Sequence, residues 1–179
     1  MGANAGAPGD GLVPEANMAF DRSRLIAAPP EAIWPWLVQL GKQRAGWYLP
    51  RAAERFVPRD RRAARRIEER WQHTAVGDRI PDYGGTEAEL ELAVRDEPRA
   101  LIYRDERAGA TFSWAILLQP IEPELTRVRL RFRGRLASTG LRRRAIVGGG
   151  EIFDAVTGEL MLRGLEERAR EGPSPRAAR

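Results

Sequence analysis

Large aromatic side chains are the residues of this chain best suited to bind another molecule. Trp47, Tyr48 and Trp71 fall in irregular or transitional segments, where cavity mouths and lids tend to lie, and Trp114 falls in an apolar run. Rings offer apolar contact area and Tyr or Trp adds one polar group, so a pocket for a small apolar molecule is predicted, with core packing as the alternative. The predicted ligand-binding residues are Trp47, Tyr48, Trp71, Tyr103, Trp114, Phe132, Phe153, Leu160 and Met161.

Candidates for proton transfer are few. His73 is the only histidine and its ordinary pKa lies near neutrality, but no carboxylate or hydroxyl spacing places it in a triad, so a surface or capping role is expected. Glu159 lies near the apolar stripe of the last predicted helix, and a carboxyl that faces a cavity has a raised pKa and can act as an acid or base. Asp78 and Arg79 are expected to shape a turn. The catalytic residues are therefore unknown, and the sequence leaves open whether the chain is an enzyme.

Metal and nucleotide chemistry find no support in the residue types. The chain has no cysteine and one histidine, which excludes thiolate and multi-histidine metal sites as well as disulfides. Three glycines at residues 148–150 precede the last helix, but no Gly-Lys-Ser/Thr follows them, so a phosphate loop is not indicated and a hinge is the better explanation. We expect no metal and no cofactor.

Arginine occupies every odd position from 127 to 135, and apolar residues or glycine occupy the even positions. A basic strand can follow phosphates, but here the apolar residues point to the opposite face and cannot stack on bases from the arginine side. We therefore predict no nucleic-acid partner and a solvated outer sheet face. Acids of neighbouring strands, such as Glu89, Glu91 and Asp96, are expected to pair with these arginines.

A long helix over residues 151–170 is the element expected to position much of this chemistry. Its apolar stripe consists of residues at steps of three and four, namely Phe153, Val156, Leu160, Met161, Gly164 and Leu165. Gly172 and Pro173 end the helix, and residues 138–150 before it predict a loop. Because a single helix cannot bury its own stripe, a sheet is expected to cover it.

Most of the remaining chain predicts strands. Residues 18–26, 76–81, 90–94, 101–103, 111–119 and 126–136 show full or partial alternation of apolar and polar residues. Their connections after residue 76 are too short for parallel crossovers, so the sheet is antiparallel and the fold class is α+β. A helix with an apolar stripe follows residues 28–31 and ends before Gly41, and residues 59–70 predict a polar surface helix.

One domain over residues 18–171 is predicted from the length and composition. The 42% hydrophobic and 31% charged fractions are ordinary for a globular protein. Residues 1–17 lack periodicity and predict a flexible leader, and residues 172–179 predict a disordered tail. No apolar run reaches the roughly 18 residues of a membrane span and no secretory signal is visible, so a cytoplasmic protein is expected.

Two short motifs carry a family resemblance: Trp-Pro-Trp-Leu-Val-Gln-Leu-Gly at residues 34–41 and Gly-Trp-Tyr at residues 46–48. With residues 71–80, Trp114, residues 126–130 and residues 161–169, they resemble the SRPBCC (START-like, helix-grip) superfamily near its polyketide cyclase/dehydrase-type branch, over residues 18–170. The resemblance implies a curved antiparallel sheet wrapped around a long C-terminal helix, with an internal cavity. It implies no single reaction, since that superfamily includes cyclases, lipid carriers and hormone receptors.

Three functions follow as hypotheses. The first is binding of a small, mainly apolar (lipid or polyketide-like) molecule between the sheet and the last helix. The second is a cyclase- or dehydratase-like enzyme acting on a polyketide-type substrate, which requires polar groups that converge in the cavity. The third is an arginine-rich interaction module for an acidic partner or an anionic membrane. The sequence names neither the ligand nor the oligomeric state.

Overall fold

An antiparallel sheet and a long C-terminal helix carry the structure, as the sequence predicts. The computed structural model describes residues 7–83, 88–107, 110–137 and 140–172, without the side chains of residue 107 and of residues 140–155. The elements in chain order are β1 Met18–Ile26, α1 Pro30–Gln39, α2 Arg51–Glu54, β2 Arg79–Pro81, β3 Glu89–Asp96, β4 Ala100–Arg107, β5 Ala110–Glu122, β6 Leu125–Leu136 and α3 Gly140–Glu171. The six strands lie in the order β1-β6-β5-β4-β3-β2, and each neighbouring pair is antiparallel.

The two faces of the sheet differ as the alternating pattern of β6 predicts. Val128 and Leu130 are buried in the main core, and the arginines between them lie on the opposite, outer face. Trp36 of α1 and Met161 and Leu165 of α3 belong to the same core, so these two helices cover one end of the inner face. Burial of this apolar surface is the main force that holds the helices on the sheet.

Helix α3 also approaches the segment that follows α1 very closely at Gly164. A Cβ atom added to Gly164 would lie 2.7 Å from backbone atoms of Tyr48 and Leu49. Only a residue without a side chain allows this approach. Gly164, which the sequence places on the apolar stripe, therefore sets the distance between the helix and the aromatic segment.

One helical turn later, the completely buried Arg168 ties α3 to the same region. Its guanidinium donates hydrogen bonds to Glu54 Oε1 at 2.6 Å and to the carbonyl oxygens of Ala64 at 2.8 Å and Leu49 at 3.1 Å. Burial lowers the pKa of Arg168, and the carboxylate of Glu54 opposes this change. A buried charge needs such partners, so this contact orders residues 49–64 against the helix.

The start of α3 differs from the prediction. The loop and glycine hinge predicted for residues 138–150 are wrong for residues 140–150, which are helical. Glycine lowers helix stability by about 1 kcal/mol relative to alanine but does not forbid a helix. The glycines at 148–150 therefore gave a misleading local indication of a break.

Residues 59–70 do not form the predicted polar helix. Two 3-10 turns, Arg59–Arg61 and Glu69–Trp71, stand in its place. Between the two turns, backbone groups form hydrogen bonds with a residue far away in the sequence. The buried side chain of Gln39 donates to the carbonyl of Arg66 and accepts from the amide of Glu68. These tertiary hydrogen bonds replace the helical ones. The arginine content and the few apolar residues of this segment therefore did not predict its backbone conformation correctly.

Strand β3 contains an irregularity that changes the face of one residue. Leu92 pairs with Tyr103, whereas Val94 pairs with Ile102, so the register shifts between Leu92 and Val94. Val94 is 36% exposed, although the sequence placed it on the same face as Leu90 and Leu92. Such a bulge inserts one residue and reverses the alternation beyond it.

The N-terminal segment also differs from the flexible leader that was predicted for residues 1–17. In residues 7–17, Val13 is buried and Leu12 packs against the small outer cluster of Ala100, Ile102 and Ala115. Arg131 donates to Asp10 Oδ1 at 2.8 Å. The low periodicity of this segment concealed its role, because it covers the sheet as an irregular strap. Residues 1–6 and 173–179 lie outside the described residues.

Candidate functional site

Aromatic rings line the inner face of the sheet at the end that α1 does not cover. We call this set the ring face; it consists of Phe20, Trp47, Tyr103, Phe112, Trp114 and Phe132. Trp114 stacks between Trp47 and Tyr103, with centroid distances of 5.8 Å and 5.7 Å. Phe132 lies 5.5 Å from Phe112 and 6.0 Å from Phe20. The pairing of Trp114 with Phe132 across β5 and β6 joins the two groups.

Burial changes along the strands that carry these rings. On β5, Ile116 and Leu118 are buried, whereas Phe112 and Trp114 on the same face are only half-buried. The same change occurs on β6 between the buried Leu130 and the half-buried Phe132. Completely packed rings would be buried like their neighbours. The ring face therefore retains accessible apolar surface that Ile116, Leu118 and Leu130, farther along the same strands, do not have.

Trp47 connects the ring face to α3. Its Nε1 donates a hydrogen bond to the carbonyl oxygen of Thr157 at 3.3 Å, and its ring meets Tyr83 edge-on at 6.0 Å. Tyr83 is 53% exposed and lies in the loop between β2 and β3. These residues form an aromatic rim between the helix and that loop.

The tyrosine hydroxyls near the rings stay protonated. Burial raises the pKa of Tyr103 to about 12, and burial also raises the pKa of Tyr83 above its ordinary value. At neutral pH both groups are therefore neutral and able to donate or accept a hydrogen bond. They provide polarity without charge beside an apolar surface.

Tyr48, a predicted ligand-binding residue, lies away from the ring face in the completely buried core. Its hydroxyl donates to the carbonyl of Trp36 at 2.7 Å and accepts a hydrogen bond from Gln39. Arg168 lies over its ring at 4.4 Å. The residues of the two resemblance motifs therefore bind one another, which gives these motifs a structural role in joining α1 to the following segment.

Trp71 lies on the surface of the irregular segment, apart from the other rings. The guanidiniums of Arg44 and Arg70 lie 5.1 Å and 4.8 Å from its ring centroid. Two cations over one ring are a stabilising cation–π arrangement. Trp71 therefore packs against Arg44 and Arg70 and is not part of the ring face.

The residues predicted on α3 occupy different environments. Met161 is completely buried in the main core, and Leu160 is half-buried. The backbone of Phe153 is helical, and its side chain lies outside the described residues. Of the nine predicted ligand-binding residues, the ring face brings together Trp47, Tyr103, Trp114 and Phe132.

The groups considered for proton transfer are paired or exposed. The imidazole of His73 is 75% exposed and lies 3.3 Å from Glu69. Glu159 binds Arg24 and Arg163, so it has two cationic partners in place of the cavity considered for it. Asp78 accepts a hydrogen bond from the amide of Ala75 and shapes the turn before β2. In the part of the chain that the structure describes, no group of three or more histidine or acidic residues is arranged to hold a metal ion.

Asp105 is a functional candidate that the sequence analysis did not name. Strand pairing sets it opposite Phe112, and the alternation of β4 places it on the same face as Tyr103. It is half-buried. The alternation of β5 that points to Trp114 also includes Phe112. The register between β4 and β5, which the sequence does not show, is what places Asp105 opposite Phe112.

The arginines of β6 lie on the outer face, as predicted, but their partners differ from those expected. Arg129 and Arg131 both bind Asp21 of β1, and Arg131 also binds Asp10. Glu91 instead pairs with Arg104, because β6 lies between β1 and β5 and does not touch β3. Acids therefore already occupy much of this basic row.

Comparison with solved structures identifies the fold. A protein of unknown function from Staphylococcus aureus has 11% identity and a TM-score of 0.54 and matches 86% of this chain and 94% of its own. An HSP90 activator from Plasmodium falciparum has 15% identity and a TM-score of 0.52, with 87% and 98% covered. A point mutant of norcoclaurine synthase from Thalictrum flavum, in complex with a transition-state analogue, has 11% identity and a TM-score of 0.50, with 86% and 94% covered.

These similarities establish the helix-grip fold alone. No protein-family profile and no curated protein matches the sequence. No helix among the described residues is long and apolar enough to cross a membrane. The cavity predicted between the sheet and α3 stays a prediction.

Proposed function

We propose that this chain binds a small, mainly apolar molecule on the ring face beneath α3, as a ligand-binding member of the SRPBCC superfamily. The half-buried state of Phe112, Trp114 and Phe132 is the observation that carries the proposal. Their neighbours along the same strands are sealed by α1 and the C-terminal half of α3. Half-buried rings gain apolar contact when a ligand covers the part of their surface that is still accessible.

The chemistry of the ring face favours a flat or extended ligand with few polar groups. Stacked indoles present broad apolar surface, and aromatic ligands gain additional energy from offset stacking on such rings. The protonated hydroxyl of the exposed Tyr83 can orient one oxygen or nitrogen of a ligand. The norcoclaurine synthase structure, which has the same fold, is a complex with a transition-state analogue, and this supports the proposal of a bound ligand.

A titration with a neutral apolar dye tests the proposal. N-phenyl-1-naphthylamine fluoresces more strongly in apolar surroundings and carries no charge that arginines would attract. We expect saturable binding to the wild type, and binding about tenfold weaker in Trp114→Ala and in Phe132→Ala, because each loses a ring of the proposed contact surface. Trp71→Ala is the matched control, since that ring lies between two arginines away from the ring face.

The outcome separates the alternatives. Equal loss in Trp71→Ala and Trp114→Ala would indicate a general effect on folding, and unchanged binding in both folded ring-face variants would exclude the ring face as the site. Circular dichroism confirms that each variant is folded before its titration is interpreted. Native mass spectrometry of freshly purified protein then identifies a natural ligand if one co-purifies.

A cyclase- or dehydratase-like activity on a polyketide-type substrate is the second candidate, and Asp105 favours it. This carboxyl lies opposite Phe112 and offers a general acid or base beside the rings. Incubation of a ligand identified by native mass spectrometry with wild type and Asp105→Asn tests the activity. Turnover by the wild type that is lost in Asp105→Asn supports catalysis, and a ligand returned unchanged by the wild type supports binding alone.

A further inference from the structure

The positive charge of the chain is concentrated in one short segment. Residues 51–66 contain seven arginines and two acids, so their formal charge is +5, the same as that of the whole chain. The remaining residues are therefore neutral in sum. Charge concentrated in this way attracts anions more strongly than the same charge spread over the surface.

A pocket of about 270 Å³ lies within this arginine-rich segment. Its lining consists of Arg51, Glu54, Arg55, Arg62, Ala63 and Arg65. Glu54 is buried and is bound by both Arg65 and Arg168. The pocket thus has an ordered floor, which the irregular backbone and α3 build together.

The four arginines that line the pocket fall into two groups, one with carboxylate partners and one without. Arg51 binds Glu171, and Arg65 binds Glu54, Glu167 and Glu171. Arg55 and Arg62 also line the pocket, and among the described residues neither has a carboxylate partner. Around the pocket, five arginines with Arg168 included face three glutamates, which leaves an excess of two positive charges.

The two unmatched guanidiniums are held near the pocket by other contacts. Arg55 lies over the ring of Phe56 at 4.7 Å. Arg62 donates from Nε to the carbonyl of Val57 at 2.9 Å and from Nη2 to the carbonyl of Arg55 at 3.5 Å. Side chains restrained in this way lose less entropy when they bind a ligand.

We propose that this pocket binds a phosphate group, through Arg55 and Arg62 with Arg51 and Arg65 at its walls. Arginine presents a planar set of donors that matches phosphate oxygens in pairs. The volume accommodates a phosphate monoester head rather than a polymer. The group can come from a free phosphorylated small molecule or from a phospholipid headgroup, and this inference is independent of the ring face.

Calorimetric titration at constant ionic strength is the direct test. Sodium phosphate, glycerol 3-phosphate and phosphatidylcholine vesicles with and without phosphatidic acid are titrated into the wild type and into Arg55→Gln/Arg62→Gln. We expect saturable binding to the wild type that weakens by at least about tenfold in the double variant, because two charged donors are lost. Arg99→Gln/Arg127→Gln removes the same charge away from the pocket and is expected to bind as the wild type does.

Each outcome decides the proposal. Binding of phosphate or glycerol 3-phosphate that depends on Arg55 and Arg62 supports a soluble ligand, and such dependence seen only with phosphatidic acid vesicles supports a headgroup. No saturable binding to any of the probes overturns the proposal, and so does an equal loss in both double variants, which would indicate net charge alone. Arg55→Glu provides a second variant, since Arg55 makes no backbone hydrogen bond through its side chain in the described structure and its replacement spares the loop contacts of Arg62.

Discussion

Two glycines of α3 are expected to respond to the same substitution with opposite signs. A Cβ atom at Gly158 would meet Arg22 Cγ and Leu130 Cδ1 at 3.7 Å, which is ordinary contact, whereas at Gly164 it would meet backbone atoms of Tyr48 and Leu49 at 2.7 Å. Alanine stabilises a helix interior by about 1 kcal/mol relative to glycine. Gly158→Ala should therefore stabilise the protein by about 0.5–1 kcal/mol.

At Gly164 the overlap outweighs this gain. The helix and the segment at Leu49 must separate by roughly 0.7 Å before ordinary contact at 3.4 Å is reached, and gaps of about 0.5–1 Å forfeit a quarter to a half of the dispersion energy of each contact. Overpacking costs about 1–3 kcal/mol, and a clash with backbone atoms, which cannot rotate away as the end of a side chain can, belongs at the upper end of that range. We expect Gly164→Ala to lower the free energy of unfolding by about 2 kcal/mol, after the helix-propensity gain is included.

Thermal and urea unfolding followed by circular dichroism measure both variants. For a chain of this size about 1 kcal/mol corresponds to about 2–4 °C, so Gly164→Ala should melt about 4–8 °C below the wild type and Gly158→Ala slightly above it. If both variants are stabilised by equal amounts, α3 does not pack on residues 48–49 as described. If Gly158→Ala is strongly destabilised, the distance between α3 and the inner sheet face is wrong.

Two further predictions concern charged contacts. Glu54→Gln should destabilise the protein by about 3 kcal/mol in urea unfolding, because Arg168 stays buried without its carboxylate partner. Glu171→Gln, at a half-exposed position, should cost less than about 1 kcal/mol in the same assay. Similar losses in the two variants would contradict a buried ion pair between Glu54 and Arg168. Burial raises the pKa of Asp21, but hydrogen bonds from Arg129 and Arg131 outweigh it and hold that pKa below its ordinary value. Its contribution to stability is therefore complete above the unfolded pKa of about 3.9 and is lost as the pH falls through the folded pKa. Urea midpoints of wild type and Asp21→Asn should differ at pH 7 and converge below about pH 4, and a difference that is independent of pH would refute this assignment.

Regular alternation and helix boundaries made much of the fold predictable. β1 has the predicted bounds of Met18–Ile26, and α1 begins at Pro30, where proline suits the first helical turn. Helix α3 ends at Glu171 before Gly172, whose φ of 69° is the left-handed conformation typical of a helix-terminating glycine. These features depend on near neighbours in the chain, which a sequence displays directly.

The elements that were missed depend on partners far along the chain. Asp10 and Arg131 are 121 residues apart, and their contact places the N-terminal strap on the sheet. Gln39 replaces a helix with an irregular segment at residues 66–68. Arg168 follows Met161 and Leu165 at helical spacing, so a charge on the apolar stripe was the available indication of a buried ion pair.

The candidate site was predictable by residue type but not by location. Trp47, Trp114 and Tyr48 are all large rings in or near suitable segments, yet Tyr48 is engaged by Gln39 and the carbonyl of Trp36. Trp71 is likewise taken by two arginines. Only the register of β5 and the position of residues 46–48 separate the ring face from these structural rings.

Fluorine NMR of protein labelled with 5-fluorotryptophan tests the central claim most directly. The chain has five tryptophans, and single Trp→Phe variants assign their resonances. On addition of N-phenyl-1-naphthylamine, we expect the resonances of Trp47 and Trp114 of the ring face to shift and those of Trp34, Trp36 and Trp71 to stay unchanged. Shifts confined to Trp71, or no shift at any tryptophan at saturating dye, would contradict binding on the ring face.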